Sequence, residues 1–308
     1  MSVLDAIGRT PLVELKRLPP AGAARVLVKL EYANPTGSMK DRFALAAISA
    51  AEADGRLRPG GTVVEYTGGT TGVSLAFICA AKGYRARIVF SDAFSQDKGL
   101  MMEAFGAEVR LVKSGGGGIT EQVVRGMIAE ARALAREPGH WWCDQLNNRD
   151  ALAGYVPMGE EIAQQAGRVD AFVHCVGTAH SLHGASRGLR QRGARPHVVA
   201  VEPAESAVLA GGAGGSHGID GIGIGFVPPL WERGDVDELM PVSTADAKAM
   251  ARRLAAEEGI FAGTSSGANV VAALRVAERL GRGATVVTLL VDSGLRYLST
   301  DVFRRSGL

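Results

Sequence analysis

The chain has 308 residues, 34 Lys+Arg against 32 Asp+Glu, 46% hydrophobic and 21% charged residues. That length supports one large or two smaller domains with a sizeable core, the apolar content excludes a disordered chain, and the near-neutral balance without a dense Lys/Arg stripe excludes the usual nucleic-acid footprint. Cys79, Cys143 and Cys175 form no disulfide framework, MSVLDAIGRTPLVEL lacks a signal-peptide pattern, and the longest apolar run, Thr285 to Val291, is strand-sized, so a cytoplasmic protein without membrane spans is expected.

The elements alternate. A strand is predicted over Arg25–Leu30, then a helix over Met39–Ala53, a strand over Thr62–Tyr66 and a helix over Thr71–Lys82. Strand Ala86–Phe90, helix Gln96–Phe105, strand Glu108–Val112 and helix Glu121–Arg136 follow. Next come helix Leu152–Gln165, strand Val169–Val176, helix Ser181–Arg192 and strand His197–Val201. Helices Ala245–Glu258 and Ser266–Leu280 precede a final strand, Ala284–Val291. Runs such as VDAFVHCV and ATVVTLLV are continuously apolar, as in strands of a parallel sheet covered on both faces. The pattern predicts a doubly wound α/β fold. Gly-rich stretches interrupt it at Ser114–Gly118 and Gly211–Gly225, the second long enough to be a functional loop.

Several motifs fail. No GK dipeptide exists for a phosphate-binding P-loop, and GIGIG (Gly221–Gly225) is not a dinucleotide fingerprint. Ser186 and Ser265 sit in G-x-S-x-G, but no histidine follows Ser265 to serve as its base. SQDK (Ser95–Lys98) lacks the companion motifs of the S-x-x-K enzymes. His180 and His183 have i, i+3 spacing but no third ligand, so no metal is expected, and they read as one satisfied and one surface histidine.

The strongest segment is NPTGSMKDR, Asn34–Arg42. Pro35, Thr36 and Gly37 predict a turn and Ser38 an N-cap, which places Lys40 in a first helical turn. The dipole there opposes an ammonium and lowers its pKa, which suits an amine that attacks a carbonyl. On this segment alone, a surface lysine beside Asp41 remains the alternative.

The segment resembles the cofactor-lysine motif of the cysteine synthase family, the β-family of pyridoxal 5'-phosphate enzymes. IGRTPLV (Ile7–Val13), EYTGGTTG (Glu65–Gly72), CVGTAHSLHG (Cys175–Gly184), VEPAES, HGIDGIGIGFVP, EEGIFAGTSSGA and VDSGLRYLST follow in the family's order, over essentially the whole chain. The resemblance implies a two-lobed fold-type II enzyme, a homodimer without a further regulatory module. A larger lobe (1–35 with 148–308) and a smaller mobile lobe (36–147) are expected. It implies that Lys40 carries the cofactor aldehyde. Gly177, Thr178, Ala179, His180 and Ser181 would hold the phosphate, through helix-start N–H groups and the Thr178 and Ser181 hydroxyls. Ser293 would face the pyridine nitrogen and Thr70 the ring hydroxyl. Thr67, Gly68, Gly69, Thr71 and Gln145 would bind the substrate carboxylate, with Gly221 also on the substrate side.

Departures cluster at the site. TGGTTG stands where the family has TSGNTG, so Gly68 replaces a serine and Thr70 an asparagine. GTAHS replaces GTGGT, and the stretch after Gln145 is one residue short. The expected reaction is β-replacement on an O-activated L-serine, with O-acetylserine and sulfide giving L-cysteine. A β-eliminase, a different nucleophile, and a weakly catalytic cofactor-binding protein are the alternatives. The loop from Gly211 to Phe226 holds Asp220 and no Arg or Lys, so O-acetylserine is expected to be preferred over O-phosphoserine.

Overall fold

The computed structural model describes residues 1–116 and 120–304, so the last part of the Gly-rich stretch Ser114–Gly118 lies outside the described residues. Two sheets organise the chain. The larger has the order β1-β2-β10-β7-β8-β9, with β1 Leu12–Glu14, β2 Arg25–Leu30, β7 Ala171–Cys175, β8 His197–Pro203, β9 Glu238–Val242 and β10 Thr285–Leu290. Only β1 pairs antiparallel. The smaller sheet is wholly parallel, β5-β4-β3-β6, from β3 Thr62–Tyr66, β4 Arg85–Ser91, β5 Glu108–Val112 and β6 His140–Trp142.

The central strands show why continuous apolar runs appear. Every residue of β3, β7 and β10 is buried, because helices cover both faces. The three strands absent from the sequence reading, β1, β6 and β9, are sheet edges, too short or too polar to stand out. Pro241 lies in β9, an edge strand, where a sheet tolerates proline.

The helices are α1 Lys40–Ala53, α2 Thr70–Lys82, α3 Gln96–Ala104, α4 Glu121–Leu134, α5 Val156–Ala166, α6 His180–Gln191, α7 Thr244–Arg253 and α8 Thr264–Leu280. The helix expected from Leu152 begins at Val156 instead. Pro157 lies in its first turn and a 3-10 turn, Arg149–Tyr155, precedes it. The helix expected to run to Glu258 changes at Leu254 into one π turn, closed by Gly259 at φ +70°.

A buried ion network ties the lysine loop to the larger sheet. Arg42 donates to Glu31 and, with both terminal nitrogens, to Glu161, which also pairs with Lys29 Nζ at 2.7 Å. Asn34 closes the same loop by accepting from Gly8 N–H and donating to the Glu31 carbonyl.

Candidate active site

Four segments meet at the carboxyl ends of β3, β7 and β10, the edge where open α/β sheets bind ligands. The first is the turn before α1. Thr36 N–H and hydroxyl donate to the Asp41 carboxylate at 2.8 and 2.6 Å, and Lys40 N–H donates to Ser38 Oγ at 3.2 Å. Asp41 therefore holds the turn rather than Lys40, which removes the surface-pair alternative. Among the described residues Lys40 Nζ has no hydrogen bond or ion pair, and it lies over the Phe43 ring, 5.4 Å from the centroid. Burial lowers its pKa to about 8, against the smaller opposing influence of Cys143 and Glu65.

The end of β10 is stitched to this turn. Ser293 N–H donates to the Gly37 carbonyl at 2.9 Å and Ser38 bridges Asp292. Gly37, at φ +79°, lies so close that a Cβ there would touch the Ser293 Cβ. The Ser293 hydroxyl oxygen accepts from Leu295 N–H.

The third segment joins β3 to α2. Thr67 Oγ1 accepts from Gly69 N–H at 3.0 Å, and α2 starts at Thr70, so its first N–H groups lack helical acceptors. The Thr71 hydroxyl donates to Gln145 Oε1 at 2.8 Å, and Gln145 Nε2 donates to the Tyr66 carbonyl. The structure thus brings Thr71 and Gln145 together from distant parts of the chain. Buried Glu65, which sequence reasoning did not single out, fixes Gln145 by accepting its N–H at 2.9 Å, with further bonds from Tyr66 N–H and Trp142 Nε1. Burial pushes the Glu65 carboxyl up to about 8. Gly68 has a packing reason: a Cβ there would come within 2.9 Å of the Phe94 ring. Gly72 likewise leaves room for the Met102 sulfur.

The fourth segment joins β7 to α6. A Cβ on Gly177 would strike the Gly221 carbonyl oxygen at 2.5 Å, and Gly223 N–H donates to the Val176 carbonyl, so the two glycine loops lie backbone to backbone. Ala179 adopts φ +71°, a left-handed conformation that disfavours a Cβ. His180 and His183 are both 1% exposed, which corrects the reading of one as a surface residue. His183 Nε2 accepts from Glu232 N–H and its ring packs near Trp231. Among the described residues no cluster could hold a metal ion.

The Asp220 loop carries no Arg or Lys of its own, but two lysines from elsewhere in the chain approach it. Lys98, 1% exposed on α3, reaches Asp220 Oδ2 at 2.5 Å and lies 4.9 Å from the Tyr297 ring centroid. Its stem fills the room left by Gly69. Lys248, paired with Asp301 at 2.7 Å, approaches Gly218 of the same loop. Sequence spacing could not show either approach, because 122 residues separate Lys98 from Asp220.

These residues fit a phosphorylated aldehyde on an aromatic ring. Two helix-start loops suit two anions, one of them pressed backbone to backbone against Gly221, and an unpaired amine of lowered pKa stands at the start of α1.

The family of pyridoxal-phosphate dependent enzymes matches residues 3–292. A cysteine synthase of Staphylococcus aureus (strain Mu50 / ATCC 700699) is 41% identical over 305 residues, 98% of this chain and 96% of the relative. The crystal structure of a cysteine synthase from Entamoeba histolytica superposes with TM-score 0.91 at 38% identity, covering 99% of this chain and 92% of that one. The structure of an O-ureido-L-serine synthase does so with TM-score 0.91 at 40% identity, covering 98% and 94%.

Proposed function

This chain belongs to the pyridoxal-phosphate dependent enzymes, and we propose that it exchanges the β-substituent of an O-activated L-serine, with O-acetylserine and sulfide giving L-cysteine. The observation that carries the reading is Lys40: an unpaired amine with a pKa of about 8 at the start of α1, stitched to the end of β10 and close to buried Glu65 of the carboxylate loop. Similarity to the cysteine synthases of S. aureus and E. histolytica supports the substrate pair.

When bound, the cofactor supplies an electron sink that stabilises negative charge at the substrate Cα. Gly177–Ser181 would anchor its phosphate, and Ser293 would offer a neutral hydroxyl to its pyridine nitrogen. Thr67–Thr71 and Gln145 hold the amino-acid carboxylate, with Glu65 keeping Gln145 in place. Lys40 Nζ removes the Cα proton, the Cβ–O bond breaks with departure of acetate, sulfide adds at Cβ, and the proton returns to Cα. A pKa near 8 lets the same nitrogen take and give that proton near neutral pH.

The smaller-sheet unit, residues 36–147, is the lobe that closes, and the Lys98–Asp220 pair supports this because it joins that unit to the loop over the site. We also place the enzyme in the cytoplasm as a homodimer, supported by three buried free cysteines and by the family resemblance. Among the described residues no helix is long and apolar enough to cross a membrane.

A second reading keeps the fold and changes the nucleophile. It is supported by the equal similarity to an O-ureido-L-serine synthase and by Gly68, where Phe94 occupies the space a Cβ would need. Steady-state turnover of O-acetylserine with sulfide, oxygen and nitrogen nucleophiles separates the two. No turnover of any O-activated serine by protein that retains the cofactor would overturn both.

A further inference from the structure

His174 and His180 hold opposite ends of the β7–α6 loop, and their hydrogen bonds have a fixed polarity. His174 is fully buried in β7. The polarity starts at Asn269 of α8, whose Oδ1 accepts from Cys175 N–H at 2.7 Å while its Nδ2 donates to the Leu289 carbonyl at 2.8 Å. Turned over, the amide would set oxygen against carbonyl and NH2 against N–H, so the orientation is determined. The second Nδ2 hydrogen meets His174 Nδ1 at 3.2 Å, which must then be the bare, accepting nitrogen. The ring hydrogen sits on Nε2, 2.8 Å from Ser181 Oγ. Ser181 therefore accepts from His174 and keeps its own hydroxyl hydrogen to donate elsewhere.

His180 imposes the reverse on Thr178. Its Nε2 lies 2.7 Å from the Asn148 carbonyl, which can only accept, so the ring hydrogen is on Nε2. Nδ1, 2.8 Å from Thr178 Oγ1, accepts the threonine hydrogen. Burial, reinforced by Lys40, lowers His174 to about 3 and His180 to about 4, so both rings are neutral near pH 7.

We propose that His174 and Asn269 are positioning residues that turn the Ser181 hydroxyl hydrogen into the phosphate loop, while His180 withdraws that of Thr178, so that the loop offers one hydroxyl donor rather than two. The inference rests on the reading of Gly177–Ser181 as the phosphate site, and it revises the expectation that both hydroxyls donate.

Two measurements test it. In protein with 15N-labelled histidine and no cofactor, two-bond 1H–15N correlations should show His174 and His180 as neutral rings protonated on Nε2 from pH 6 to 9. A His174 ring protonated on Nδ1 would overturn the proposal without any reference to the cofactor. The second measurement is the dissociation constant of pyridoxal 5'-phosphate, with unphosphorylated pyridoxal as control. Ser181→Ala should weaken the phosphorylated form by roughly ten- to a hundredfold, the range of one charge-assisted hydrogen bond, and Thr178→Val by under about threefold. His174→Phe should weaken it several-fold and shift the cofactor 31P resonance, and His174→Gln, whose side-chain N–H can reach Ser181, should restore both. Pyridoxal binding should be unchanged throughout, since a merely structural loss would lower both ligands together. Equal losses for Ser181→Ala and Thr178→Val would overturn this inference alone. Failure of the unaltered protein to bind either ligand would instead remove the cofactor reading on which it rests.

Discussion

The Lys98–Asp220 pair has unequal partners, and that asymmetry predicts unequal mutational costs. The Lys98 side chain is 2% exposed and that of Asp220 26% exposed. Asp220→Ala leaves an ammonium sealed beneath Gly69 and Tyr297, and stranding a buried charge costs about 3–5 kcal/mol. The Tyr297 ring near the ammonium returns about 1 kcal/mol of this, so about 2–4 kcal/mol should be lost. Lys98→Met keeps the apolar stem against Gly69 and leaves only a carboxylate that water can reach, for a loss of about 1 kcal/mol. In the Lys98→Met background, Asp220→Ala then has no ammonium to strand and should be nearly neutral. At about 2–4 °C of Tm per kcal/mol for a chain of this size class, thermal unfolding of the two single variants and the double variant resolves the pattern. Additive losses, or a larger loss for Lys98→Met than for Asp220→Ala, would refute the argument that burial of the ammonium sets the cost.

Lys40 should bind cofactor covalently in a pH-dependent way: the folded protein favours the neutral amine, so capture accelerates from pH 6 and levels off above about 8. An adduct-formation rate still climbing past pH 9 would mark an ordinary lysine, and a borohydride-fixed adduct on Lys29 or Lys98 would move the assignment. Glu161 is held at about 2: burial alone would raise it, but bonds and ion pairs from Arg42 and Lys29 prevail. Its folded pKa is depressed, so its contribution is present above the ordinary glutamate value of 4.5 and is lost as pH falls toward 2. That contribution is at most roughly 3 kcal/mol, and more than half of it should be gone by pH 3, read as a narrowing gap in urea midpoints between the unaltered protein and Glu161→Gln. O-acetylserine should exceed O-phosphoserine in kcat/KM by roughly tenfold or more, because Lys98 and Lys248, the ammonium groups reaching the Asp220 loop, are already paired and a phosphate would have to break one pair. A preference for O-phosphoserine would show that another cation enters the site.

Local chemistry made much of the fold legible. Continuous apolar strands covered on both faces and glycine-marked helix starts are written within a few residues of themselves, so β3, β7, β10 and the loops after β3 and β7 could be read directly. Edge strands β1, β6 and β9 could not, since an edge needs neither length nor apolarity. The substituted site residues show the same division. Gly68 reads as an unexplained departure until Phe94 is seen against it. Asp220 reads as a bare carboxylate until Lys98 arrives from helix α3. His174 had a visible signal, a lone histidine inside the apolar run VDAFVHCV, but its meaning depends on an amide 95 residues away. In each case the missing information is a pairing between distant segments that no periodicity encodes. Phe94 against Gly68, Lys98 on Asp220 and Asn269 on His174 each set a neighbour's packing or polarity across the fold. A substitution at Phe94, Lys98 or Asn269 is therefore to be read through the residue it faces rather than at its own position.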